Sequence, residues 1–139
     1  MTKECMEIRV NVEPMGAVRM TKSDTWKTDP NHPNPMKRQR DAVRRYFAFK
    51  NAILDSCNKA NFTLDNCIHL TFCLSMPKSW SEKKKKAYCG QPHKSRPDLD
   101  NLIKAVMDSL RKEDGDIYRI YAEKRYSYEG FILIKSFSD

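Results

Sequence analysis

The sequence predicts a single α+β domain with a mixed sheet, and three patterns carry that prediction. Two segments alternate apolar and polar residues with a period of two, two others repeat apolar residues at helical spacing, and the C-terminal quarter holds two short strand-like runs around a turn. In chain order they read β(β)-α-β-α-β-β, an arrangement for one α+β layer pair. No repeat divides the 139 residues, so residues 1–139 are read as one domain. A chain of this length buries roughly two thirds of its unfolded surface and holds a core without disulfide staples.

Each element has its own warrant. Ile8, Val10 and Val12 alternate with Glu7, Arg9 and Asn11, the pattern of a half-buried strand. After the turn Pro14-Met15-Gly16, residues 17–22 extend that strand briefly, and a mobile loop follows from Ser23 to Asn34. Asn34-Pro35 supplies an N-cap and a first-turn proline, and Val43, Tyr46, Phe47, Ile53, Leu54 and Cys57 give a helix over about 36–59. Ile68, Leu70, Phe72 and Leu74 alternate with Cys67, His69, Thr71 and Cys73 in a second strand, over 64–76, placed inside the sheet. The stretch 78–97 holds seven Lys/Arg against one Glu and reads as a basic loop. Leu99, Leu102, Ile103, Val106, Met107 and Leu110 then mark a core-facing helix ending near Lys112. Residues 117–125 and 131–137, joined by Ser127-Tyr128-Glu129-Gly130, read as a closing hairpin.

Composition bounds the partners. With 26 Lys+Arg against 18 Asp+Glu the net charge is +8, which favours polyanions. No run approaches the ~18 apolar residues of a membrane span. Five cysteines, without a C-x-x-C pair or a signal peptide, point to a reduced, intracellular protein. Cys67, His69, Cys73, Cys89 and His93 follow no accepted zinc spacing, and the strand cysteines are read as small packed side chains. Four glycines make no phosphate-cradling loop, so no nucleotide cofactor is expected.

The chemistry concentrates in Arg96-Pro97-Asp98-Leu99-Asp100-Asn101-Leu102-Ile103-Lys104 and the residues after it. In an extended segment residues two apart point the same way, so Asp98 and Asp100 converge if the helix begins near Asp100. Asp100, Lys104 and Asp108 form a polar row opposite the apolar stripe. Glu113, Asp114 and Asp116 cluster beyond the helix. Carboxylates gathered in a basic surround suit a divalent cation, Mg²⁺ first and Mn²⁺ as the alternative, with oxygen ligands shared between protein and substrate phosphates. Phosphodiester hydrolysis is the chemistry implied, with Lys104 offsetting transition-state charge. The blander reading makes Asp98 a helix cap, Lys104 an i±4 partner of Asp100 and Asp108, and Trp80 and Tyr88 packing residues.

The run Pro97-Asp98-Leu99-Asp100-Asn101-Leu102-Ile103-Lys104-Ala105-Val106-Met107-Asp108-Ser109-Leu110 resembles the core motif of the RusA family of Holliday junction resolvases, which are phage- and prophage-associated bacterial nucleases. Glu113-Asp114 leading into a strand and Lys124-Arg125-Tyr126 continues the likeness, which covers about residues 76 to 126. The resemblance implies a RusA-like fold, a homodimer, and paired phosphodiester cleavage of four-way junction DNA in recombination and repair. It implies metal binding by Asp98, Asp100 and Asp114, an essential Lys104, and a cytoplasmic location in a bacterial or phage-encoded setting. The turn after Leu110 is shorter than the family's, which leaves Glu113, Asp114 and Asp116 as candidates for the third carboxylate; Asp114 keeps the family's spacing to Lys124. Lys83, Lys84, Lys85, Lys86, Lys94 and Arg96 are the candidate DNA-backbone contacts. The rival readings are a non-catalytic basic DNA-binding protein and a nuclease acting on forks or flaps.

Overall fold

The computed structural model describes residues 5–19, 41–110 and 116–138. In chain order they form β1 (Cys5–Val10), α1 (Asp41–Lys59), β2 (Cys67–Ser75), α2 (Glu82–Tyr88), α3 (Leu99–Leu110), β3 (Arg119–Ser127) and β4 (Phe131–Phe137). The α+β class and the mixed sheet hold, with strand order β1-β4-β2-β3. β4 lies antiparallel between β1 and β2, while β3 runs parallel to β2.

The expected hairpin of the last two strands is therefore corrected: β2 lies between them. β2 buries Cys67, Ile68, Leu70, Phe72, Cys73 and Leu74, so it needs a neighbour on each side. The three residues between Ser127 and Phe131 are enough to step over its end. There Met76 N–H donates to the Ser127 carbonyl at 2.9 Å. Gly130 sits where an added Cβ would lie 2.8 Å from the Glu13 backbone, so a side chain there would push away the segment after β1. That segment matters because Glu13 Oε1 accepts from both the amide and the hydroxyl of Ser75.

The helices cover one face of the sheet. Tyr46, Phe49, Ile53 and Cys57 of α1, with Leu102, Ala105, Val106 and Met107 of α3, pack on alternate residues of three strands: Ile8 and Val10, Ile68 to Leu74, and Ile132 and Ile134. Full burial of side chains such as Phe72 and Leu102 stabilises the domain by about 2 kcal/mol each. On α1 the stripe runs through Phe49 rather than Leu54, which is 41% exposed, because helical geometry turns Leu54 off the face shared by Val43, Tyr46 and Ile53. The expected first turn of that helix, residues 36–40, lies outside the described residues, as does the loop read at 23–34. The short extension after Gly16 is not a strand over residues 17–19. Instead Ala17 is clasped by Asn101, its amide donating to the Asn101 carbonyl at 3.2 Å and its carbonyl accepting from Asn101 Nδ2 at 3.3 Å.

The basic stretch 78–97 is also corrected, since it is not all loop: Glu82–Tyr88 forms α2. The Ser81 hydroxyl accepts from the Lys84 amide at 3.2 Å as its N-cap, and Cys89 N–H closes the other end on the Lys85 carbonyl. None of its residues is buried. No helix among the described residues is long and apolar enough to cross a membrane, and all five cysteines are free.

Candidate active site and nucleic-acid interface

Asp98 follows a bent segment, residues 95–97, and begins a helix. Its carbonyl accepts the Leu102 amide at 3.1 Å, the first turn of α3, so Asp98 is the N-cap and helicity starts at Leu99, one residue before the sequence-based expectation. Asp98 thus keeps the non-helical backbone that a shared site with Asp100 requires. Asp100 lies in the first turn, exposed, with one carboxylate oxygen accepting the Asn101 amide at 2.9 Å. Neither carboxylate has a cationic partner among the described residues.

The polar row along α3 divides. Lys104 Nζ pairs with Asp108 Oδ2 at 3.3 Å, and it does not pair with Asp100. The same Asp108 oxygen accepts the Tyr46 hydroxyl at 3.1 Å, a contact from α1 that no local sequence pattern announces. Burial first, then the Asp108 charge, raises the Tyr46 pKa, so the phenol stays protonated and donates. Tyr46 fixes Asp108, and Asp108 holds Lys104 by an exposed ion pair worth less than about 1 kcal/mol, weak enough to yield to a phosphate. Glu113 and Asp114 lie outside the described residues; Asp116 is exposed at the turn before β3.

The lysine run is split by its helix. Lys84 Nζ lies 4.1 Å from the Trp80 ring centroid and 5.7 Å from that of Tyr88. The Lys85 side chain is only 19% exposed, with Glu82 4.0 Å away. Lys83 and Lys86, three residues apart, share the outer face, and Lys94 and Arg96 are exposed on the segment leading to Asp98. Trp80 and Tyr88 pack on Tyr126 with centroids 5.4 and 5.7 Å away, as packing residues would, and His93 lies 4.5 Å from the same ring. Burial, then the Lys124 charge, lowers the His93 pKa and keeps the ring neutral near pH 7.

If backbone phosphates are bound on this face, the double variant Lys83→Ala/Lys86→Ala lowers the salt slope of DNA affinity by about 2, close to 0.9 per lost phosphate contact. Lys84→Ala is expected to leave that slope unchanged while altering Trp80 fluorescence, and titrations between low and moderate salt separate the two.

A two-layer α+β domain with two aspartates at a helix start, a lysine one turn on and an adjoining basic helix has the build of a small nucleic-acid hydrolase. The family model for endodeoxyribonuclease RusA matches residues 11–135, and the chain belongs to the RusA endodeoxyribonuclease family. The match reaches well beyond the motif region, back to the segment after β1. No curated protein matches the chain.

Proposed function

We propose that this chain is a Mg²⁺-dependent, homodimeric endonuclease that resolves four-way DNA junctions by paired phosphodiester cleavage during recombination and repair. The observation that carries the reading is the placement of Asp98 at the N-cap of α3 and of Asp100 in its first turn, both without a cationic partner among the described residues, in a chain of the RusA endodeoxyribonuclease family.

The donor set fits the ion. Mg²⁺ is usually held by one or two carboxylates plus waters and substrate phosphates, and Asp98 and Asp100 offer hard oxygen donors at a helix N-terminus flanked by basic residues. In this reading Asp98 and Asp100 hold the ion together with Asp114. When bound, the ion supplies charge neutralisation at the scissile phosphate and an acidified water. Lys104, released from Asp108, offsets the extra negative charge of the transition state. Lys83, Lys86, Lys94 and Arg96 hold the DNA backbone without reading bases, so selectivity follows from the shape of the branch.

The test is a labelled synthetic four-way junction beside its linear duplex, each with Mg²⁺ and with EDTA. Symmetric Mg²⁺-dependent nicks confined to the junction are the expected result. Preferential cutting of flaps or forks would replace junction resolution with that activity, and tight binding without cleavage would leave a DNA-binding protein.

A further inference from the structure

Lys124 stands on the helix-facing side of β3, in parallel register with Phe72, where the neighbouring positions carry apolar side chains. Among the described residues its ammonium meets no carboxylate. It donates to two backbone carbonyls, Ser95 at 2.6 Å and Pro97 at 2.8 Å, the second belonging to the residue immediately before Asp98. The Lys124 carbonyl accepts the His93 amide at 3.0 Å, and Tyr126 exchanges backbone bonds with Gly90 and Gln91. Arg125 adds a bond to the Gly90 carbonyl at 2.8 Å. One short length of β3 therefore holds the segment 90–97 along its edge, and the lysine grips the end that delivers Asp98.

The chemistry of the grip is specific. Hydrogen bonds from a charged donor are about twice as strong as neutral ones, and two of them on carbonyls two residues apart fix the path of the chain between them. Hydrophobic packing would fill the same space without setting that path.

We infer that Lys124 is a positioning residue for the metal-binding carboxylates: by clamping the Ser95 and Pro97 carbonyls it sets the backbone from which Asp98 projects. This rests on the nuclease reading of Asp98 and Asp100, and it assigns Lys124 no contact with substrate.

The experiment compares wild type, Lys124→Met and Lys124→Arg in three readouts. The first is Mn²⁺ affinity by electron paramagnetic resonance, counting the site lost in Asp100→Asn. The second is amide hydrogen exchange over residues 94–99. The third is junction cleavage against Mg²⁺ concentration. In Lys124→Met, Mn²⁺ affinity is expected to fall by about 10-fold or more, as for lost outer contacts of metal ligands. Exchange over 94–99 accelerates while β2 and α1 stay protected, and the cleavage rate falls about 100-fold with a raised Mg²⁺ requirement. Junction affinity in EDTA stays within about twofold. Lys124→Arg, able to donate to both carbonyls, restores exchange protection and most of the Mn²⁺ affinity. Unchanged exchange and Mn²⁺ affinity in Lys124→Met overturn the inference, as does an Arg variant that keeps protection but loses the metal. Should Lys124→Met fail to fold, the Arg variant decides by the same two readouts. If wild type neither binds Mn²⁺ nor cuts junctions, the nuclease reading fails by itself, and the exchange data still decide whether the lysine sets the backbone.

Discussion

Asp100→Asn is expected to abolish junction cleavage while leaving binding intact or tighter. The substitution keeps the shape of the side chain and its acceptor for the Asn101 amide, so the first turn of α3 persists. What disappears is one anionic oxygen donor and one unit of negative charge beside approaching phosphates. Losing a ligand that supports Lewis-acid catalysis costs several kcal/mol, about 10³-fold in rate. A gel-shift titration in EDTA reads the binding, and single-turnover cleavage in Mg²⁺ reads the chemistry. Cleavage within tenfold of wild type would remove Asp100 from the site, and loss of the folded state, seen by circular dichroism, would remove the comparison.

Lys104→Met is expected to cut the single-turnover rate by about 10²- to 10³-fold, the scale seen when a preorganised charge donor is removed. Stability should barely move, because the lysine side chain is 65% exposed and its ion pair with Asp108 contributes under about 1 kcal/mol. Junction affinity should weaken far less than the rate. Equal losses in affinity and rate would make Lys104 a phosphate contact only. Asp108→Asn supplies the complement: it frees Lys104, and a rate equal to or above wild type is expected.

The sequence made much of this domain legible where one local pattern had one physical meaning. Alternation in Ile68-His69-Leu70-Thr71-Phe72 could only be a strand with one apolar face, and Cys67–Ser75 is that strand. The i, i+3, i+4 stripe from Leu99 to Leu110 could only be a core-facing helix, and the Asp98-Leu99-Asp100 onset was readable to within one residue. The failures have a common physical cause, which is that they depend on partners distant in the chain. Two strands separated by a short turn look like a hairpin unless the need of β2 for a second neighbour is weighed against them. α2 carries no apolar stripe, so four lysines masked it, although Ser81 three residues before Lys84 was a cap signal. The same cause hid the Tyr46 contact to Asp108 and the grip of Lys124 on the Ser95 and Pro97 carbonyls, since no spacing rule connects α1 to α3 or β3 to a loop.

The parallel pairing of β2 with β3 has a kinetic meaning as well. These two strands cannot zip up locally; roughly forty residues between Ser75 and Arg119 must first be looped back, an ordering cost incurred before any ladder bond is gained. That looped-back stretch contains α2, the segment gripped by Lys124 and all of α3, so the residues proposed as catalytic lie within the crossover itself. Folding and assembly of the active centre are then one event: a chain arrested before β3 docks has no partly working site, and activity should return on refolding in step with the final burial of β2, never ahead of it.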